Sequence, residues 1–427
     1  MDDITLSFKH RILQGEAPLP SSKSISNRYL ILQFLAEEDF DIENLSDSDD
    51  TRLMQKLLKV IRNHDEDDED EVVLDCFNAG AVIRFLTALL AFKPGNWVLT
   101  SSNERMKVRP IGPLVDALRS MGVEITYLGE EGYPPLQITG NPQAIQESDG
   151  RVCVDAGQSS QFVSALMLAA PLFPQGLHIE MGGETKVSLP YVQMTAQLMR
   201  NCGVEVIFID SNNIFVDGRP HAPEKVLIES DWSAASYIYA LLALSQEGRI
   251  ELPLLTEESV QGDRILADWF EDLGVETEFA EDRVILTKRA DAEIDRSPKE
   301  YDFVHHPDLA QTMAVCCAAL GIEARLYGIF GLKYKETDRI LALRNELERI
   351  GARVELREEA EENELHIFPS QLHPENELIR TYGDHRMALA FSALAIAYDK
   401  VNLQQRDVVN KSFPGYWNVM KKLGAKF

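Results

Sequence analysis

One pattern recurs along the chain and limits what it can fold into: an amphipathic helical stretch, then a glycine, then a strand. It reads DALRSMGVEITYL, AQLMRNCGVEVIFI, DWFEDLGVETEFA, NELERIGARVEL and VMKKLGAKF. The glycines Gly122, Gly203, Gly274, Gly351 and Gly424 stand 81, 71, 77 and 73 residues apart. A glycine just past a helix accepts the left-handed backbone of a C-terminal cap, and the β-forming residues after it predict a strand. An earlier stretch, MQKLLKVIRNHDEDDEDEVVLDC, is a relative without the glycine, and its acidic run from Asp65 to Glu71 predicts a solvated loop.

A second series interleaves with the first. Its six members are SSKSISNRYLILQFLA, NAGAVIRFLTALLAF, GQSSQFVSALMLAA, DWSAASYIYALLAL, HHPDLAQTMAVCCAAL and GDHRMALAFSALAIAY. Each opens with a polar cluster and continues as a helix apolar on nearly every face, which marks a core helix. The unit is therefore one buried helix, one amphipathic helix and several strands, about 75 residues long and repeated six times. Such repeats build a symmetric body. Ser, Asn, Asp and Gln at the helix starts serve as N-caps, and capping alone accounts for DWSAASY. Capping needs only one short polar side chain, however, and the other clusters also carry Lys23, Arg28, Gln161, Asp308, His385 and Arg386. Helix N-termini gathered with such bases form a site for a heavily anionic small molecule.

Composition narrows the partners. The 427 residues hold 42 Lys+Arg against 69 Asp+Glu, a formal charge of −27. That argues against nucleic acid or an anionic membrane as the main partner, while leaving room for a local basic pocket. The longest apolar run, Phe162 to Phe173, is too short to span a bilayer, and the first residues show no signal peptide. The five cysteines (Cys76, Cys153, Cys202, Cys316 and Cys317) lie in apolar segments without CxxC or Cys/His ligand spacing. They predict buried thiols in a reducing cytosol and no zinc.

Further bases cluster in SSNERMKVRPIG (Arg105, Lys107, Arg109), GLKYKETDRI (Lys335, Glu336, Asp338, Arg339), TYGDHRMA and NKSFPGYW (Lys411). Any one of these is a solvated face or a salt bridge; KETDR alone reads as a helix start with i,i+3 and i,i+4 charge pairs. Together with the Ser-Lys-Ser and Ser-Ser-Gln clusters they read as an anion site. None is a phosphate-binding P-loop, a GxGxxG or a HExxH.

The segments SSKSISNR, NAG, RMKVRPIG, QSSQF, VSLPY, QGDR, HHPD, KETDR, GDHRMA and KSFPGYW, in this order from Ser22 to Trp417, resemble the 5-enolpyruvylshikimate-3-phosphate (EPSP) synthase family. The resemblance implies an α/β (α+β) fold: a two-domain inside-out α/β barrel of six βαβαββ repeats, three per domain. It implies a lower domain of residues 1–20 plus 231–427 and an upper domain of residues 21–230, with the active site in the cleft between them. The implied reaction moves the enolpyruvyl group of phosphoenolpyruvate to the 5-hydroxyl of shikimate 3-phosphate and releases phosphate through a tetrahedral ketal. It requires an acid, a base and a strong anion clamp, and no metal or organic cofactor. The implied setting is a cytoplasmic monomer acting on two small molecules, with neither nucleic acid nor membrane as partner.

By position, Asp308 matches the family's proton acceptor on the shikimate ring, and Glu336 the group that protonates and deprotonates the phosphoenolpyruvate methylene. Lys23 matches a lysine reaching both substrates. Arg109, Arg339, Arg386 and Lys411 match the phosphoenolpyruvate clamp, with Gly80, Gln161 and His385 beside it. Arginine suits such planar bidentate contacts. Ser24, Arg28, Ser159, Ser160, Ser188 and Lys335 match shikimate-phosphate contacts, to which Lys23, Gln161 and Asp308 also contribute. The chain departs from the family pattern at Ser21, Gly331, Leu189, Ala81 and Phe85. The last two stand where members inhibited by glyphosate carry Thr and Pro, which predicts reduced sensitivity. Two alternatives stand beside this reading. One is the sister transferase acting on UDP-N-acetylglucosamine, whose loop carries a Cys where Ser101–Pro110 has none. The other is a non-catalytic anion-binding relative.

Overall fold

The computed structural model describes residues 2–65, 70–359 and 362–427. Part of the acidic run expected to be a solvated loop, residues 66–69, lies outside the described residues. The chain divides into two compact units, one of Met1–Ser22 with Glu229–Phe427 and the other of Lys23–Ile228.

Five four-stranded sheets share one plan: a parallel pair, extended by two antiparallel strands. In the Lys23–Ile228 unit, Glu71–Asp75 runs parallel to Gly95–Thr100, which pairs antiparallel with Leu136–Gly140 and then Glu124–Tyr127. Arg151–Asp155, Leu177–Gly182, Asn213–Asp217 and Glu205–Phe208 repeat the order. The third sheet of this unit has only two described strands, Ile42–Glu43 parallel to Val226–Leu227. It belongs to the repeat whose sequence lacks the capping glycine.

The other unit has three four-stranded sheets, and the first residues of the chain complete two of them. Ile12–Glu16 lies parallel to Glu247–Pro253, and Ile4–Phe8 sits antiparallel between Val401–Leu403 and Ala425–Lys426. Residues at the chain start belong with the C-terminal half because their backbone groups are paired there. The third sheet runs Lys299–Asp302, Ala324–Tyr327, Glu362–Phe368 and Arg353–Glu359.

The helices expected to be buried are Lys23–Leu35, Gly80–Leu90, Ser160–Ala169, Trp232–Leu244, Ala310–Leu320 and His385–Ser392. In Trp232–Leu244 every residue is buried, as a helix apolar all round must be. Each glycine of the first repeat series has positive φ, from 79° at Gly203 to 103° at Gly424, so the caps are left-handed as expected. One sequence expectation fails: Cys153 is exposed, while the other four thiols are buried. It sits on Arg151–Asp155, where alternate residues face outward, and Cys153 falls on the outward set. No described helix is long and apolar enough to cross a membrane.

Candidate active site

In the unit containing the C-terminus, one guanidinium organises the charged residues. Arg339 is the first residue of the Arg339–Arg349 helix, whose N-cap Asp338 accepts a hydrogen bond from the Leu341 amide. KETDR is thus a helix start as expected, with Lys335 and Glu336 just ahead of it. Arg339 is 1% exposed and donates to three carboxylates: Nε to Asp384 Oδ2 at 2.7 Å, Nη1 to Asp308 Oδ1 at 3.2 Å and Nη2 to Glu336 Oε2 at 2.8 Å.

Asp308 sits on a short 3-10 turn, Pro307–Leu309, leading into Ala310–Leu320. Its other oxygen takes Arg386 Nη2 at 2.7 Å. Arg386 Nη1 in turn donates to the hydroxyl of buried Tyr237 at 2.9 Å. Lys411 Nζ lies 3.8 Å from Glu336 Oε1. Asp384 caps the His385–Ser392 helix by accepting from the Arg386 amide, and His385 Nδ1 lies 3.5 Å from the same carboxylate.

Burial alone would push the Asp308 carboxyl up. The positive charges of Arg386, Lys335 and Arg339 overcome this and hold it well below the usual carboxylate range. Burial would likewise lower Arg339, but Asp384, Glu336 and Asp308 keep it firmly protonated. Burial pushes the Tyr237 phenol up to about 12, so it stays neutral beside Arg386. The result is a carboxylate kept ionised, and so able to accept a hydrogen bond from a hydroxyl, within an array of cations suited to binding anionic oxygens.

The Lys23–Ile228 unit is built differently. Lys23 opens its helix and pairs with Asp50 at 3.2 Å. Arg28, one turn further and 2% exposed, donates to Thr195 Oγ1 at 2.7 Å, the Ser24 carbonyl at 2.9 Å and Ser164 Oγ at 3.2 Å. Its guanidinium lies over the rings of Phe85 and Tyr191, at 5.3 and 6.0 Å. Burial among these neutral groups pushes Arg28 down to about 10, so it remains a cation at neutral pH.

Gly80 begins the Gly80–Leu90 helix, and a Cβ there would collide with the guanidinium of Arg109. Arg109 is buried and reaches Asn78, while Arg105 and Lys107 of the same basic cluster lie apart on a 3-10 turn, where Lys107 pairs with Glu104. Arg84 Nη1 holds Gln161 Oε1 at 2.6 Å and Nη2 the Pro110 carbonyl at 2.9 Å. It therefore ties together the segments carrying Gln161 and Arg109. Ser159 caps the Ser160–Ala169 helix by accepting from the Gln161 amide. Ser188 precedes Leu189–Asn201 with φ 56° and makes no side-chain cap bond. Left-handed backbone at a non-glycine residue is the kind of strain concentrated at functional sites.

Arg84, Asp50, Tyr237 and the role of Asp384 were missed in the sequence. Arg84 had a signal, as the lone charge in an otherwise apolar buried helix. Tyr237 lies in DWSAASYIY, where capping by Asp231 is present as expected, but the helix also supports Arg386. Among the described residues, no group of three or more His, Cys, Asp or Glu side chains is placed to hold a metal ion.

The architecture is that of the enolpyruvyl transferases. An EPSP synthase from Acinetobacter baumannii matches with a TM-score of 0.71 at 17% identity, over 100% of this chain and 99% of that one. The enolpyruvyl transferase NikO from Streptomyces tendae matches with 0.70 at 16% identity, over 100% and 98%. The sequence comparison is more specific: the EPSP synthase (3-phosphoshikimate 1-carboxyvinyltransferase) family model matches residues 9–420, and the chain belongs to that family. The 3-phosphoshikimate 1-carboxyvinyltransferase of Bacteroides fragilis (strain YCH46) is 41% identical over 418 residues, covering 96% of each chain. That of Sulfurovum sp. (strain NBC37-1) is 37% identical over 444 residues, covering 100% of each.

Proposed function

We propose that this chain catalyses the family reaction, transfer of the enolpyruvyl group from phosphoenolpyruvate to the 5-hydroxyl of shikimate 3-phosphate, with residues of both units taking part. Asp308 takes the hydroxyl proton as the oxygen adds to C2 of phosphoenolpyruvate. Glu336 delivers a proton to C3, giving a tetrahedral ketal phosphate. Removal of a proton from C3 and departure of phosphate, assisted by Lys23, then yield the enol ether. The observation that carries this reading is the Arg339 guanidinium shared by Asp308, Glu336 and Asp384.

That arrangement supports both halves of the reaction. Arg386, Lys335 and Arg339 keep Asp308 ionised, and a substrate anion that takes over their donors returns basicity to it. Glu336 lies on the same guanidinium, within reach of Lys411. Arg109, Arg339, Arg386 and Lys411 clamp phosphoenolpyruvate beside Gly80, Gln161 and His385. Ser24, Arg28, Ser159, Ser160, Gln161, Ser188 and Lys335 take shikimate 3-phosphate.

The test is phosphate release. Mixing the protein with shikimate 3-phosphate and phosphoenolpyruvate should release one phosphate per enol ether formed, and only with both present. Release with UDP-N-acetylglucosamine instead would transfer the chain to the sister activity. No release with either acceptor would leave a non-catalytic anion binder. We read the chain further as a cytoplasmic monomer, for which light scattering at the monomer mass of 48.1 kDa is the check on assembly.

A further inference from the structure

Glu346 is a carboxylate with no exposed surface that the mechanism above does not use. A buried carboxylate is costly unless its oxygens are met by donors. Glu346 Oε1 accepts the Tyr382 hydroxyl at 2.6 Å, and Oε2 accepts the Arg380 amide and Arg349 Nε, both at 3.0 Å. Two of these three donors belong to the segment just before Asp384, His385 and Arg386.

That segment is a turn with an unusual residue in it. The Asp384 amide donates to the Thr381 carbonyl at 2.9 Å, and the two central residues, Tyr382 and Gly383, have φ of 56° and 69°. Positive φ at both central positions is the pattern of a type I′ turn, which favours Asn, Asp or Gly. An aromatic residue there is strained and persists only where its surroundings hold it.

The Arg339–Arg349 helix supplies that hold. Arg339 and Glu346 are seven residues apart in the sequence, close to two helical turns, and so lie on one face. At the upper position Arg339 grips Asp384, and two turns below Glu346 grips Tyr382 and the Arg380 amide. The turn is stapled to the helix at both ends. We propose that Glu346 and Tyr382 are positioning residues, which through this staple set Asp384 between Arg339 and the start of the His385–Ser392 helix, and thereby place Arg386.

The inference rests on the assignment of Arg339 and Arg386 to the phosphoenolpyruvate clamp. It is tested with Tyr382→Phe, Tyr382→Gly and Glu346→Gln in the full chain. The readouts are steady-state kinetics for each substrate, thermal melting, and amide hydrogen exchange across residues 380–387. Tyr382→Phe should lower kcat/KM for phosphoenolpyruvate by about tenfold to a hundredfold, the scale of a small misplacement of a binding group. KM for shikimate 3-phosphate should change by less than about threefold, and faster exchange should stay within residues 380–387. Tyr382→Gly relieves the backbone strain but lacks the hydroxyl, and should show the same defect. Native kinetics and exchange in Tyr382→Phe would overturn the proposal. So would equal losses for both substrates in step with a fall in melting temperature, the mark of a merely structural role. Should the native protein release no phosphate, the assigned reaction falls, and the exchange result alone decides the staple.

Discussion

Arg339 and Arg28, each buried in its own unit, meet opposite kinds of partner. In the C-terminal unit, Arg339 and Arg386 meet carboxylates: Asp308, Glu336 and Asp384 for the first, Asp308 for the second. In the Lys23–Ile228 unit, Arg28 is wrapped by hydroxyls, carbonyls and aromatic rings, and Arg84 by an amide and a carbonyl. The first arrangement keeps Asp308 ionised and orients three carboxylates around one guanidinium. The second, at Arg28, sets a cation among neutral groups, which suits holding a phosphate. We read the difference as a division of labour between the units, which would make the consequences of mutation unequal.

The largest effects are expected at the two carboxylates proposed to transfer protons. Asp308→Asn and Glu336→Gln preserve shape but remove the titrating groups, and each should lower turnover by roughly 10²–10⁴-fold in steady-state assays. The next contrast is one of stability. Arg339→Met strands Asp384, which is fully buried, and should cost about 3–5 kcal/mol in denaturant melts. Arg28→Met removes a cation that no described carboxylate pairs, and should change stability by only about 1 kcal/mol while weakening shikimate 3-phosphate binding. Equal destabilisation by the two variants would erase the distinction between the units.

Acid should sharpen it further. The depressed Asp308 carboxyl contributes stability that is fully present above the unfolded carboxylate value, near ~4, and is lost as pH falls through its lower folded value. Melts from pH 7 down to pH 3 should therefore be flat at first and steepen only below about 4. Asp308→Asn should lessen that steepening, whereas Arg28→Met should not. The smallest expected change concerns Ala81 and Phe85. Phe85 supports Arg28 from beneath, so the double variant Ala81→Thr/Phe85→Pro should raise glyphosate sensitivity in a competition assay and also weaken shikimate 3-phosphate binding slightly. An unchanged inhibitor response would show that these positions do not set it.

Much of this organisation is legible in the sequence, because its cause is local. A helix apolar on all faces has to be buried, and a glycine after an amphipathic helix has to cap it, so the repeats announce themselves. The motif residues of KETDR and GDHRMA stand out because bases are scarce in so acidic a chain. What stays hidden depends on distant pairing. Nothing near Ile4–Phe8 states that it fits between Val401–Leu403 and Ala425–Lys426. Nothing in DWSAASYIY states that Tyr237 will meet Arg386 across 149 residues. Glu346 looks like an ordinary helix-surface acid in RNELERIG, and only the fold shows that it is buried beneath the Tyr382 turn.

The division of labour is tested most directly by running the reaction in D2O and following deuterium in the phosphoenolpyruvate methylene, alongside binding of shikimate 3-phosphate. The native protein should place deuterium in both recovered phosphoenolpyruvate and product. Glu336→Gln should slow that exchange by at least about 10²-fold while binding shikimate 3-phosphate almost normally, and Arg28→Met should do the reverse. Native exchange rates in Glu336→Gln, or normal shikimate 3-phosphate affinity in Arg28→Met, would contradict the account.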